Sequence, residues 1–237
     1  MHKIVSVHSP AGADTSNLTA HLAASIARRG KRLGVIETGA TATRLRTLFD
    51  LNSDHITHTL SDHLIGRCTL RDAAYHVPLA EMPNTGSVHL IPAGPFTVEY
   101  DAESLGAVFG TIADALTLDV LFVDAPGGLG EDALLIAAAA DRVVLVLRPN
   151  RQDYQTTAVA VEVVRRLGIP DTALVLSEVP GSLDRAALLR DLERAFGVAR
   201  GAVLPIASEA PEPAAMHLPR HPLARAIAAV ATQFGLA

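Results

Sequence analysis

The sequence predicts an α/β protein built on a single doubly wound, mostly parallel sheet with helices on both faces. Three observations carry this. Strand-like and helix-like stretches alternate along all 237 residues. The strand-like stretches are continuous apolar runs, the pattern of strands covered on both faces. A composition 49% hydrophobic and 19% charged supplies a large core, and the length suits one domain over residues 1–237.

Each element follows in order. Ile4-Val5-Ser6-Val7 is a short apolar, β-branched run, and Pro10 to Asn17 is a loop of small residues. Leu18 to Arg29 reads as a helix with Leu22, Ala23, Ile26 and Ala27 on one stripe, stopped by Gly30. Arg32–Glu37 is a second buried strand. Thr59–Gly66 and Thr69–Tyr75 read as short helices joined around Cys68. Strands are expected at Val88–Pro92, Val120–Asp124, Val143–Leu147, Ala173–Leu176 and Gly201–Pro205. Helices are expected at Glu103–Leu116, Asp132–Ala140, Thr156–Leu167, Leu183–Phe196 and Pro222–Phe234. Glu209–Pro222, rich in Pro and Ala, reads as an irregular surface segment. Ligands of such folds bind at the carboxyl ends of the strands. That edge should hold Ser9–Asn17, Glu37–Thr43, Pro92–Phe96, Asp124–Gly130 and Arg148–Asp153.

Composition removes several function classes. A net charge of −5 and the absence of Trp argue against a dedicated nucleic-acid binder. Cys68 is the single cysteine, so neither a disulfide framework nor a thiolate metal cage can form; a reducing, cytoplasmic setting is expected. No signal-like segment precedes the first strand, and no apolar run approaches the ~20 residues that cross a bilayer.

The first strand, small-residue loop and helix have the layout of a phosphate-binding loop. Such a loop needs a lysine as point charge for the terminal phosphates. The chain has two lysines, Lys3 and Lys31, and neither can serve. Lys3 opens the strand, and Lys31 lies roughly 24 Å along the helix from Thr15, which occupies the lysine position.

At these loops the chain resembles the MinD/ParA family of deviant-Walker ATPases along nearly its whole length. The likeness rests on the Ser6-Val7-His8-Ser9 lead-in, the Leu22 to Glu37 helix–strand unit and Leu90-Ile91-Pro92-Ala93-Gly94. It rests further on Leu118 to Gly128, Leu147 to Thr157 and His221-Pro222-Leu223. The resemblance implies ATP bound by a KGGxGK[ST] loop, with one lysine reaching across a dimer and the other clamping phosphate in its own subunit. Here the stretch is Pro10-Ala11-Gly12-Ala13-Asp14-Thr15-Ser16, without either lysine and with one of three glycines. Asp14 would repel a triphosphate. The family's DxD switch becomes Glu37-Thr38-Gly39, and its adenine-reading pair becomes Ser177-Glu178. Asp124, in the Walker B place, and Ser16, in the place of the magnesium-ligating hydroxyl, remain in kind.

The reading is a pseudo-ATPase. Gly12, Thr15, Ser16, Asn17 and Asp124 are remnants of an ATP site; no catalytic residue and no metal site is expected, and no cofactor. A weak or slow ATPase using Mg-ATP through an unusual loop is the alternative. From the resemblance, Arg148, Arg151, Gln152 and Asp153 lie on the face family dimers use. The expected partners are a second copy or an active MinD/ParA relative, and a cargo or adaptor protein. Scattered C-terminal arginines are interspersed with acids, which weakens any DNA-binding field. The last residues, 226–237, carry no Lys or Arg and read as a packed helix rather than a membrane anchor.

Other patterns are weaker. Gly128-Leu129-Gly130-Glu131-Asp132-Ala133 fits a dinucleotide fingerprint, with Asp153 as the ribose acid, but stands mid-chain rather than on a first strand. This leaves a dinucleotide-binding enzyme as a second alternative. His55, His58 and His63 with Asp54 and Asp62 cross a loop–helix junction and read as surface polar residues. Cys68 reads as a small buried filler.

Overall fold

The chain runs β1 (Lys3–His8), α1 (Thr15–Ala27), β2 (Arg32–Glu37), α2 (Arg44–Leu48), a 3-10 turn (Ser53–His55), α3 (Leu60–Leu64), β3 (Tyr75–His76) and β4 (Ser87–Pro92). It continues α4 (Ala102–Ala115), β5 (Val120–Asp124), α5 (Glu131–Ala138), β6 (Arg142–Leu147), α6 (Arg151–Arg166), β7 (Thr172–Val179), α7 (Arg185–Phe196), β8 (Arg200–Pro205) and α8 (Pro222–Gln233). The computed structural model describes residues 2–38, 44–79, 86–94, 100–169, 171–206 and 222–236. The expectations for Gly39 to Thr43, for Pro95-Phe96 and for residues 209–221 therefore lie outside the described residues.

One eight-stranded sheet has the order β3-β4-β2-β5-β1-β6-β7-β8. Every neighbouring pair is parallel except β3 with β4. The order reverses beside β1, so the loop after β1 opens at the crevice where ligands of doubly wound sheets bind. Alternate residues of each strand feed opposite faces. Val5 and Val7 of β1 pack under α1 and α8 with Leu22, Ile26, Ile227 and Phe234. Ile4 turns the other way, with Phe109 and Ile112 of α4. On the same face as Ile4, Val143 and Leu145 pack with Val161 of α6 and Phe196 of α7. Burial of these side chains, at about 25 cal/mol per Å2 of apolar area, drives the assembly.

Helix ends follow local chemistry. Asp14, Asp101 and Asn150 cap α1, α4 and α6 with side-chain oxygens, and Gly197 closes α7 in the left-handed region. The Asn150 cap starts α6 five residues before the expected Thr156. Thr69–Tyr75 is not a helix. Thr69 and Asp72 exchange the hydrogen bonds of a capping box, but the chain only turns there, and Tyr75 enters the edge strand. Cys68 is half-buried rather than enclosed. Helix α8 is packed as expected. Arg29 donates to Thr232 Oγ1 at 2.8 Å and to the Ala228 carbonyl at 3.1 Å, and Arg142 donates to the Phe234 carbonyl. Among the described residues, no helix is long and apolar enough to cross a membrane.

Candidate functional site

The ends of β1, β2 and β5 and the start of α1 bring the expected remnant residues together. Ser16 Oγ donates to Asp124 Oδ2 at 2.5 Å. Thr15, the residue before Ser16, supplies a second hydroxyl that favours the Asp124 carboxylate. Asp124 is buried, and its Oδ1 makes no hydrogen bond. Burial pushes its carboxyl up to about 6, helped by the nearby negative charges of Asp14 and Glu37 and opposed by the two hydroxyls. The Thr38 amide and hydroxyl both donate to the Asp124 carbonyl, which ties the end of β2 to the end of β5.

The loop itself is held from within. Its Ser9 carbonyl accepts from the Gly12 amide at 3.3 Å and from the Gly128 amide at 3.0 Å, and Ser9 Oγ accepts from the Ala13 amide. Asp14 Oδ1 accepts from the Asn17 amide at 3.0 Å, so a carboxylate of the chain itself lies at the α1 N-terminus. A phosphate cradle needs such amides turned toward the ligand; here the amides of Gly12, Ala13 and Asn17 are spent internally. Gly12 keeps a positive φ of 78° that a side chain would strain.

Positive charge enters from elsewhere, and the sequence pattern does not announce it. Arg44 and Arg46 lie on α2. Arg44 donates to Asp14 Oδ2 at 3.2 Å and Arg46 Nε to Glu37 Oε2 at 2.7 Å. Glu37 is buried, and burial raises its carboxyl above the usual range while the Arg46 hydrogen bond and charge draw it back. The only available signal is RLR at positions 44–46, soon after a strand ending in an acid. His8, at the end of β1, is buried, and desolvation pushes its imidazole down to about 4.

Of the four residues expected on the dimer face, two point inward. Arg148 holds Asp153 through Nε at 3.0 Å, NH2 at 3.1 Å and its backbone amide at 2.9 Å. Its NH2 also donates to the Ala11 carbonyl at 3.1 Å, which fastens the loop. Asp153 is buried; burial alone would raise its carboxyl, but the Arg148 and Asn150 contacts hold it below the usual range. Arg151 and Gln152 are exposed on the first turn of α6. The ribose role read for Asp153 would require it to leave Arg148.

Ser177 and Glu178 stand at a register shift of β7 against β8. Glu178 adopts φ 57° and is exposed. Together with Asp14, Asn17, Leu18 and Leu223 they line a cleft of about 90 Å3. His63 Nδ1 is 3.1 Å from the Cys68 carbonyl, and no group of three or more metal-ligating side chains converges among the described residues.

No protein-family model matches the chain. An uncharacterized ATP-binding protein of Methanocaldococcus jannaschii is 25% identical over 171 residues, 71% of this chain and 61% of that protein. The antiactivator FleN of Pseudomonas aeruginosa is 29% identical over 142 residues, 57% of this chain and 46% of FleN. The chain thus spans about half to three-fifths of these curated relatives. Among solved structures, MinD of Aquifex aeolicus in complex with MinC superposes with a TM-score of 0.81 at 17% identity, over 98% of this chain and 95% of that one. The cell division ATPase MinD of Pyrococcus furiosus superposes with a TM-score of 0.79 at 24% identity, over 99% of both chains. The resemblance read from the loops is repeated in the fold: the chain has the fold of the MinD and ParA ATPases.

Proposed function

We propose that the protein is a non-catalytic member of the MinD/ParA group that acts through protein–protein contact, in positioning or assembly of a cellular cargo. The observation that carries this reading is the internally satisfied loop. Three amides at the loop and helix start are already bonded within the chain, and Asp14 places a negative charge where a triphosphate needs a positive one. The residues present do not fit a triphosphate. Removing the lysine withdraws the stabilisation on which phosphoryl transfer depends. The partner is a second copy or an active relative, with Arg151 and Gln152 at the contact and Arg148 and Asp153 holding the rim beneath it. The Aquifex MinD forms a complex with a second protein, MinC, which supports a protein partner here. The setting proposed is the cytoplasm.

Isothermal titration with Mg-ATP, alongside a phosphate-release assay, tests the reading. No micromolar binding and no turnover are expected; magnesium-dependent micromolar binding overturns it. The second reading, a slow ATPase, is favoured by one feature: the Ser16–Asp124 pair is in contact, as a magnesium site would need. It draws further support from the Methanocaldococcus relative, described as ATP-binding. The same titration separates the two, and titration with NADH, followed by fluorescence, tests the dinucleotide alternative.

A further inference from the structure

The edge of the sheet farthest from α7 carries two histidines face to face. His76 on β3 is the register partner of His89 on β4. The Val77 amide donates to the Val88 carbonyl at 2.9 Å. Hydrogen-bonded and non-hydrogen-bonded pairs alternate along an antiparallel ladder, so His76 and His89 occupy a non-hydrogen-bonded pair, where side chains approach most closely. Their ring centroids are 5.6 Å apart with the planes 79° from each other. His76 is exposed and β3 is the edge strand, so its ring is reachable from solvent, while His89 Nδ1 is enclosed behind it. His89 is half-buried, and its Nδ1 makes no hydrogen bond. Burial, then the charge of His76, lowers the pKa of His89, and the nearby Leu33 backbone opposes this. The ring is therefore neutral at pH 7, the form that ligates metal.

We propose that His76 and His89 form a two-imidazole site for a divalent transition metal of the zinc, nickel and copper class. Imidazole nitrogens bind such ions at about 2.0–2.1 Å. Two rings already adjacent across paired strands share one ion once both turn a nitrogen toward the open edge, and the second ligand then binds at high effective concentration. No third protein ligand joins them among the described residues, so water fills the remaining positions. Hard cations, which select oxygen ligands, are excluded. The site lies on the opposite side of β2 from Asp124 and is independent of the carboxyl-edge remnant.

The test is calorimetric titration of the untagged full chain with Cu2+, Ni2+ and Zn2+ in a weakly coordinating buffer. One saturable equivalent is expected, tightest for Cu2+. His76→Ala, an exposed change, should weaken binding by at least about tenfold, and His89→Gln should do the same. Cu2+ should broaden NMR resonances confined to Tyr75–Val77 and Val88–Leu90. Unchanged affinity in His76→Ala, broadening centred on His55, His58 and His63 instead, or no saturable binding at millimolar metal each overturns the proposal.

Discussion

Asp124 and Glu37 are buried carboxylates with one oxygen each left without a hydrogen bond, and their costs differ because their partners differ. Asp124 is hydrogen-bonded by a hydroxyl rather than a guanidinium, and its carboxyl rises from 3.8 to about 6. A raised acid pKa means that the folded state holds the proton more tightly. That contribution to stability is complete below pH ~4 and is lost as pH climbs through about 6. Asp124→Asn keeps an acceptor for Ser16 and removes the ionisation. It should be more stable than the native chain at pH 7.5 by about 2 kcal/mol, with the gap closing by pH ~4 in urea-unfolding midpoints. A pH-independent gap would contradict this. Glu37 instead leans on Arg46. Arg46→Ala leaves it without that counter-charge and should cost about 3 kcal/mol at pH 8, less as pH falls and the carboxyl takes up a proton; adding Glu37→Gln should recover most of the loss. These partners are invisible in the sequence. Glu37 and Arg46 are nine residues apart, and nothing in their spacing shows that α2 folds back over the strand end.

At the scale of elements, the β1–α1 loop is held by an arginine from the end of β6. Arg148→Ala should free the Ala11 carbonyl and remove the guanidinium from buried Asp153. Hydrogen exchange should then quicken across residues 10–14, with roughly 2–3 kcal/mol of stability lost. Lysine should not substitute, because a bidentate contact needs the planar guanidinium. Exchange unchanged in the loop would show that Ser9 holds it unaided. The cap of α6 is a simpler case: Asn150→Ala should cost about 1 kcal/mol in thermal or urea unfolding. That cap is legible as an Asn before a helix, yet the apolar pattern places the helix start at Thr156, because Arg151 to Gln155 is polar and carries no apolar stripe. The opposite error arises at Thr69–Tyr75, where a capping sequence begins a turn and no helix follows. Capping chemistry marks where a helix can start, whereas packing against the sheet decides whether it continues.

For the whole molecule, the proposed function predicts pairing without nucleotide, since the loop keeps its amides for itself. Analytical ultracentrifugation, alone or mixed with an active relative, should give the same mass with and without Mg-ATP. Arg151→Glu with Gln152→Glu should shift the mass toward monomer. A dimer that appears only with ATP would return the protein to the active ATPases. The sequence by itself determined the parallel sheet, because uninterrupted apolar runs can be satisfied only between two helical layers. It also determined that no lysine stands in the β1–α1 loop, because an absent side chain needs no coordinates to be known. Only the tertiary structure decided that Arg44, Arg46 and Arg148 enter this edge, that Ser9 and Asp14 consume the loop amides, and that His76 faces His89. Each of those contacts depends on where segments meet after the chain has closed on itself, and hydrophobic periodicity carries no information about which polar tips then come within reach.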